Sequence, residues 1–394
     1  MYCILEVATN PAYQWDDLKM YHAAVRVFFE GGNYYDFELL KEKSSNLPYP
    51  YSPYAIYFLL FIGLFSSQKA ALLWLGLKVA ILIGLFWIWK KVFYDYLDEG
   101  KSWILFCLFL IWSLRALNKT IYLDLAAGNI SIIEEFLIWS GMFFLLNKGR
   151  YLLFGLCLLV TSFFKLLPVI LIGLVLVSGI GKMKDRMKQF GTICLVYFIV
   201  WGVGILIMPS EFKEWFNFLG RVSFLPQERG IINPAILPFL REVTGDMANV
   251  YKLIIYFLWV FLILFISYSV SKKLKKMDIS YPKTRKHLFF LWCLAYPVIM
   301  PRFKDYTFIF LLPILYYSLF EVIKKSNSQT LKIIAGLILF YSFFNQDRGD
   351  HAFIVQDYWP LFITITSWIV FTVFIIKSSE KPESRKILNF MIFP

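Results

Sequence analysis

Apolar residues in this chain come in long unbroken runs rather than in the alternating patterns of soluble helices and strands. AALLWLGLKVAILIGLFWIW (70–89), VYKLIIYFLWVFLILFISYS (250–269) and DYTFIFLLPILYYSLFEVI (305–323) are the clearest. Each approaches the ~20 residues a helix needs to cross a hydrocarbon layer about 30 Å thick. The pattern predicts an all-α polytopic membrane protein with about eleven crossings. They fall at 71–90, 103–117, 130–147, 150–165, 167–181, 189–208, 251–271, 286–300, 303–323, 330–344 and 358–376. PYAIYFLLFIGLF (53–65) is apolar but too short to span comfortably, and is expected as an interfacial or re-entrant helix. The run 151–181, interrupted by Lys165 and Pro168, reads as two short helices that meet at the outer side.

Composition agrees with the pattern: 59% hydrophobic, 20% aromatic and 17% charged, against roughly half apolar and a quarter charged in a soluble domain. The net charge of +13 sits in short hydrophilic gaps: 90–91, 181–188, 271–287, 324–325 and 377–386. Basic residues in short loops mark the cytoplasmic side and meet anionic headgroups, so the partners expected are membrane lipids and not nucleic acid. With residues 1–70 outside, strict alternation puts all of these gaps inside. Residues 1–52 carry seven acidic against four basic side chains, as suits an outer segment. The five cysteines, Cys3, Cys107, Cys157, Cys194 and Cys293, show no paired spacing and are expected as core packing.

The expected organisation is an extracytoplasmic catalytic segment (1–70), an N-terminal membrane bundle (71–208), a large outer loop (209–250) and a C-terminal bundle (251–394). Short turns at 118–129, 299–306 and 345–357 complete the outer face, and the outer segments roof a cavity there. The opening MYCILEVATNPAYQ has neither a basic start nor an apolar core, so it is not a signal peptide. A native first helix is expected ahead of it.

Candidate chemistry gathers in those outer segments. In WDDLKMYHAAVRVFFEGGNYYD (15–36), Asp17, Tyr21 and Ala24 share one helical face, and GGN (31–33) ends the helix. Asp16 reads as a cap or dipole partner. In LPYPYSPYAIY (47–57) three prolines among tyrosines stiffen the entry to the short apolar helix, with Pro53 near its first turn. Gly128 and Asn129 precede the helix of ISIIEEFLIW, and Lys165 stands at a helix junction near the outer face. An ionisable group at such a depth is a functional candidate. Arg302 and Lys304 lie beside Asp305 at another junction, where two cations suit a phosphate or pair internally. His22 and His351 are candidate polar lining, and His287 sits in a basic loop. No clustered His/Asp signature calls for a metal.

The order of these motifs resembles glycosyltransferase family 87 of the GT-C superfamily. The D-x-x-x-Y of its first outer loop matches Asp17 to Tyr21, G-x-x-x-Y matches Gly31 to Tyr35, and Y-x-Y-x-P matches Tyr49, Tyr51 and Pro53. Its G-Q/N helix start matches Gly128-Asn129, and its K-x-x-P matches Lys165 to Pro168. Ser52 stands where the family often has a second proline.

The resemblance implies an inverting transfer of a hexose, of mannose type, from a polyprenyl-phosphate sugar to a lipid- or glycan-linked hydroxyl. It implies Asp17 as the base. Asp16, Tyr21, His22, Tyr51, Asn129, Lys165, Arg302 and Lys304 are the candidate substrate-binding residues. The lipid-linked sugar is the donor substrate, with no cofactor and no metal. The expected location is the cell membrane, multi-pass, with the active site outside. Two other functions share this topology. A lipid-linked oligosaccharide polymerase or ligase would rely on Arg221, Arg229 and Arg241. A transporter or flippase would line a path through the bilayer with polar groups, and the clear mid-span charge is Lys78.

Overall fold

The structure, a computed structural model, describes residues 15–93, 102–222, 230–276, 282–343 and 357–378. All regular structure among the described residues is helical. Cys3, Arg229 and His351 lie outside the described residues, as does the side chain of Arg221. The chain divides into two compact units. One contains Met1–Val92, Lys119–Leu176 and Gly181–Gln227; the other contains Phe93–Asn118, Val177–Ile180 and Glu228–Pro394.

The first unit begins with α1 (Asp16–Phe29), α2 (Phe37–Glu42) and α3 (Pro53–Gly63), followed by the long α4 (Ser67–Val92). The helix α5 (Ser102–Ala127) starts in the second unit and ends in the first. Leu117, Asn118 and Lys119 take left-handed backbone angles where it passes between them. Next come α6 (Ser131–Lys148), α7 (Tyr151–Phe164), a 3-10 turn with the single-turn α8 (Leu174–Val177), α9 (Met183–Ile207) and α10 (Pro209–Val222). Helix α6 packs between α4 and α7, and α1 lies on α3. Tyr21, Ala23, Ala24 and Val25 of α1 join Ala55, Ile56, Leu59, Ile62 and Trp74 in one apolar cluster. The face predicted for Asp17, Tyr21 and Ala24 is therefore the packed face of a real helix. Gly31, left-handed at φ 73°, terminates it, as the GGN stretch suggests.

In the second unit α11 (Ile236–Val243) leads into α12 (Asn249–Lys276), α13 (Pro282–Ile299), α14 (Leu312–Lys325), α15 (Gln329–Phe343) and α16 (Trp359–Ser378). Helix α14 is buried nearly all round. Helices α9 and α12 instead expose large apolar side chains, Leu206 at 82% and Phe261 at 68% among them. Water would not tolerate such surfaces, whereas lipid chains solvate them as well as a protein core does.

Among the described residues six helices are long and apolar enough, by length and composition, to cross a membrane. The segments 53–63, 151–164, 167–177 and 329–343 are apolar but shorter. This is a multi-pass membrane protein. Two expectations change. The chain from 118 to 127 continues α5 instead of forming a turn, through the left-handed residues Leu117, Asn118 and Lys119 and on to Gly128, whose φ of 69° ends it. A crossing at 167–181 is replaced by a 3-10 segment, Leu167–Gly173, and one α turn. Pro168 lies at its start, where proline's missing N–H costs nothing.

Candidate active site

The first unit brings the acid of the opening stretch onto a line of buried polar groups. Asp17 is half-buried in the first turn of α1, where the helix dipole favours a negative charge. Its Oδ2 accepts a hydrogen bond from the side-chain amide of Asn129 at 2.8 Å. Asn129 is 1% exposed. Its Oδ1 in turn accepts from the Ser131 amide at 3.0 Å and the Ser131 hydroxyl at 2.8 Å. The Ser131 oxygen accepts from Lys165 Nζ at 2.6 Å, and Lys165 also donates to Glu134. Each member donates toward Asp17, so the bonds polarise one another in the same sense.

Local sequence explains why these groups meet. Gly128 adopts φ 69°, and a Cβ there would stand 2.9 Å from Leu18 Cβ. Only glycine lets α5 end so close to α1. The turn delivers Asn129 to the start of α6, while Ser131 and Glu134, three apart, face the same side of it. Lys165 closes α7 in an extended conformation with its side chain 22% exposed. Ser131, Glu134 and Asp124 carry this arrangement without having been singled out from the sequence. The available signal was an acid within an apolar run, at LDLAAGN and at ISIIEEF.

The tyrosines form the wall beside the acid. The hydroxyls of Tyr21 and Tyr51 are 3.0 Å apart, and the Tyr21 ring meets Trp74 edge-on at 5.7 Å. Tyr35 donates to the Tyr51 carbonyl at 2.8 Å. Burial, with the Asp17 carboxylate nearby, pushes the Tyr51 hydroxyl well above the usual phenol range, so it remains a protonated donor. Ser52 resolves the departure from the family pattern. Its N–H and hydroxyl both donate to the Phe163 carbonyl, at 3.2 and 2.6 Å. A proline there would supply neither bond.

Two residues sit more locally than substrate binding would need. Asp16 does not cap α1, where Trp15 holds the cap position; as the first helical residue it takes the other expected place, an acid at the positive end of the helix dipole. It lies 3.9 Å from Lys19, on the more exposed side. His22 Nε2 donates to the Phe65 carbonyl at 3.0 Å, which ties α1 to the end of the α3 segment.

Arg302 and Lys304 belong to the second unit, just before the 3-10 turn Asp305–Leu311. Between them, the Phe303 amide donates to Asn233 Oδ1 at 2.8 Å, which attaches the NPAILPFL stretch to this junction. Lys304 Nζ lies 5.8 Å from the Tyr306 ring centre. Asp305 Oδ1 accepts from the Tyr306 amide. In the same unit Tyr358 donates to Glu242 at 2.8 Å and accepts from the Gly230 amide at 3.0 Å. Among the described residues no group of three His, Cys, Asp or Glu side chains is placed to hold a metal ion.

The model of glycosyltransferase family 87 matches residues 49–276, more than half of the chain. The chain belongs to that family and is a membrane glycosyltransferase. The matched region contains Tyr51, Asn129 and Lys165; Asp17 and Tyr21 precede it, and Arg302 and Lys304 follow it. No curated protein is similar enough to the chain to count as a match.

Proposed function

We propose that this glycosyltransferase moves a hexose, of mannose type, from a polyprenyl-phosphate sugar to the hydroxyl of a lipid- or glycan-linked acceptor, with inversion. The observation that carries the reading is the hydrogen-bonded line from Lys165 through Ser131 and Asn129 to Asp17. Asp17 is the general base. A base must face the sugar hydroxyl as a carboxylate, and a donor fixed on one of its oxygens favours the charged form and sets its direction. Tyr21, Tyr51 and Asn129 position the reacting groups. Lys165, Arg302 and Lys304 are the proposed partners of the donor phosphate, whose charge grows as the sugar departs. His22 and Asp16 keep a place at the edge of the site. A lipid monophosphate leaves readily enough for the reaction to need neither metal nor cofactor.

The reading includes a GT-C-type bundle of about eleven membrane segments, the short stretch 167–177 counted as one that does not cross as a regular helix, in the cell membrane. Residues 1–70 and 209–250 roof the site on the extracytoplasmic face. The density of lysine and arginine in the gaps supports that orientation. The test is direct. Purified protein is incubated with radiolabelled polyprenyl-phosphate mannose and other polyprenyl-phosphate hexoses, with the membrane lipid fraction as acceptor. Label should pass to a new lipid or glycan product with wild-type protein and not with Asp17→Asn. No transfer from any polyprenyl-phosphate hexose, with a nucleotide sugar used instead, would refute the donor class.

A further inference from the structure

Lys78 of α4 and Asp124 of α5 have no role in the reaction as proposed, yet both are completely buried. Lys78 Nζ is 2.7 Å from Asp124 Oδ2 and donates to the Asp124 carbonyl at 2.5 Å. Two charges held away from water are costly, and apolar residues of similar volume generally pack helices as well or better. Packing alone does not account for the pair.

The other contacts of Asp124 show what the pair holds. Its Oδ1 accepts the Ser131 amide at 3.1 Å, the first amide of α6. Its carbonyl accepts the Asn129 amide at 3.1 Å. Asp124 therefore grips the Gly128-Asn129-Ile130 turn at both ends. Held this way, Asn129 presents its Oδ1 to the two donors of Ser131 and its Nδ2 to Asp17. Lys78 fixes the gripping carboxylate by binding its second oxygen.

Resting on the reading of Asp17 as the base, we infer that Lys78 and Asp124 are positioning residues: the buried ion pair clamps the Asn129 turn so that its side-chain amide stays on the Asp17 carboxylate. The charged and titratable groups whose fields reach Asp17 include Lys78, Asp124 and the Tyr51 hydroxyl. Glu134 and Lys165 stand further along the same line, and Asp16 and Lys19 on α1 itself. Replacing the pair as a neutral unit leaves the net charge around Asp17 unchanged and removes the clamp.

The test uses full-length protein in detergent and needs no knowledge of the acceptor. Carbodiimide attacks protonated carboxyls, so the pH dependence of Asp17 modification, read by peptide mass spectrometry, reports how readily that carboxylate takes a proton. Lys78→Met with Asp124→Leu removes the clamp, and the labelling midpoint should rise by about one pH unit as the Asn129 donor is lost. Asn129→Ala should give the same rise, and the three changes together no more than either. Lys78→Gln with Asp124→Asn keeps an acceptor for Ser131 and should retain the wild-type midpoint. The inference is overturned if the folded Met/Leu variant labels like wild type, or if the Gln/Asn variant shifts as Asn129→Ala does. Should the Met/Leu variant yield no folded protein, the Gln/Asn variant and Asn129→Ala decide by the same criteria. Turnover by Asp17→Asn would sink the base reading and leave the labelling result standing, so the two failures can be told apart.

Discussion

The Asn129 side chain donates to Asp17 Oδ2 across 112 residues of sequence, at 2.8 Å. This bond joins the start of α1 to the start of α6 and fixes one oxygen of the proposed base. Removing the proton acceptor while keeping the shape is therefore the sharpest test. Asp17→Asn should lower turnover on the order of 10²–10⁴-fold and leave donor binding in place. Asp16→Asn, which breaks only a 3.9 Å contact to Lys19, should leave turnover nearly unchanged. Loss of activity in Asp16→Asn with normal activity in Asp17→Asn would transfer the role by one residue.

Lys165 and Glu134 should behave as a coupled pair. Glu134 is 3% exposed, and Lys165 neutralises it from the end of α7. Lys165→Met strands that carboxyl and should destabilise the first unit by about 3 kcal/mol, the lower end for a broken buried pair because Lys165 keeps some solvent. Adding Glu134→Gln should recover much of the loss. Thermal unfolding in detergent reads both, and additive losses in the double variant would contradict the pairing.

Gly128→Ala should damage the site through the backbone alone. The new Cβ meets Leu18 at 2.9 Å in a left-handed turn that costs L-residues roughly 1–2 kcal/mol. Turnover should fall without any loss of a polar side chain, because Asn129 is displaced with the turn. A fully active Gly128→Ala would show that the close approach of α1 and α5 is dispensable.

Arg302→Gln with Lys304→Gln tests the phosphate assignment in the second unit. The donor concentration needed for half-maximal rate should rise far more than that of the acceptor, since two charge-assisted bonds are removed. Equal changes for both substrates in a stably folded variant would assign the cations to local structure around Asp305.

The orientation can be read on intact cells from a cysteine-free background. Cysteine at Asp246, in the exposed stretch before α12, should react with an impermeant thiol reagent, and cysteine at Lys273, near the far end of α12, should not. The reverse pattern would move the proposed site to the cytoplasmic face.

Much of the helical plan was legible because uninterrupted apolar runs leave a chain few other options in lipid. The same runs hid two boundaries. Asp124 follows IYL and precedes LAAGN, and assigning that stretch to an outer turn made its carboxylate look ordinary. In fact it is buried in the last turn of α5 against Lys78, so neither charge could be interpreted without the other. Asp17, Asn129 and Lys165 were recognisable one by one, as an acid on a helical face, a helix start and a cation at a junction. Their connection through Ser131 depends on the rotation of α6 against α7, which periodicity does not specify. His22 shows the opposite case. It adjoins Tyr21 in sequence, yet its partner is a carbonyl 43 residues away, and no side-chain pattern encodes a backbone acceptor.

The shortness of α7 bears on how the proposed lipid-linked donor would reach the polar line. Its 14 residues rise about 21 Å, less than the ~30 Å of an average hydrocarbon core. In a bilayer where Lys148 and Arg150 anchor its start at the headgroups, Lys165 at its end would lie below the opposite headgroup plane. A helix shorter than the hydrocarbon core is met by local thinning of the bilayer, by snorkelling side chains or by association with neighbouring helices. A phosphate attached to a long prenyl chain could approach Lys165 sideways out of the leaflet, without its tail ever leaving the membrane.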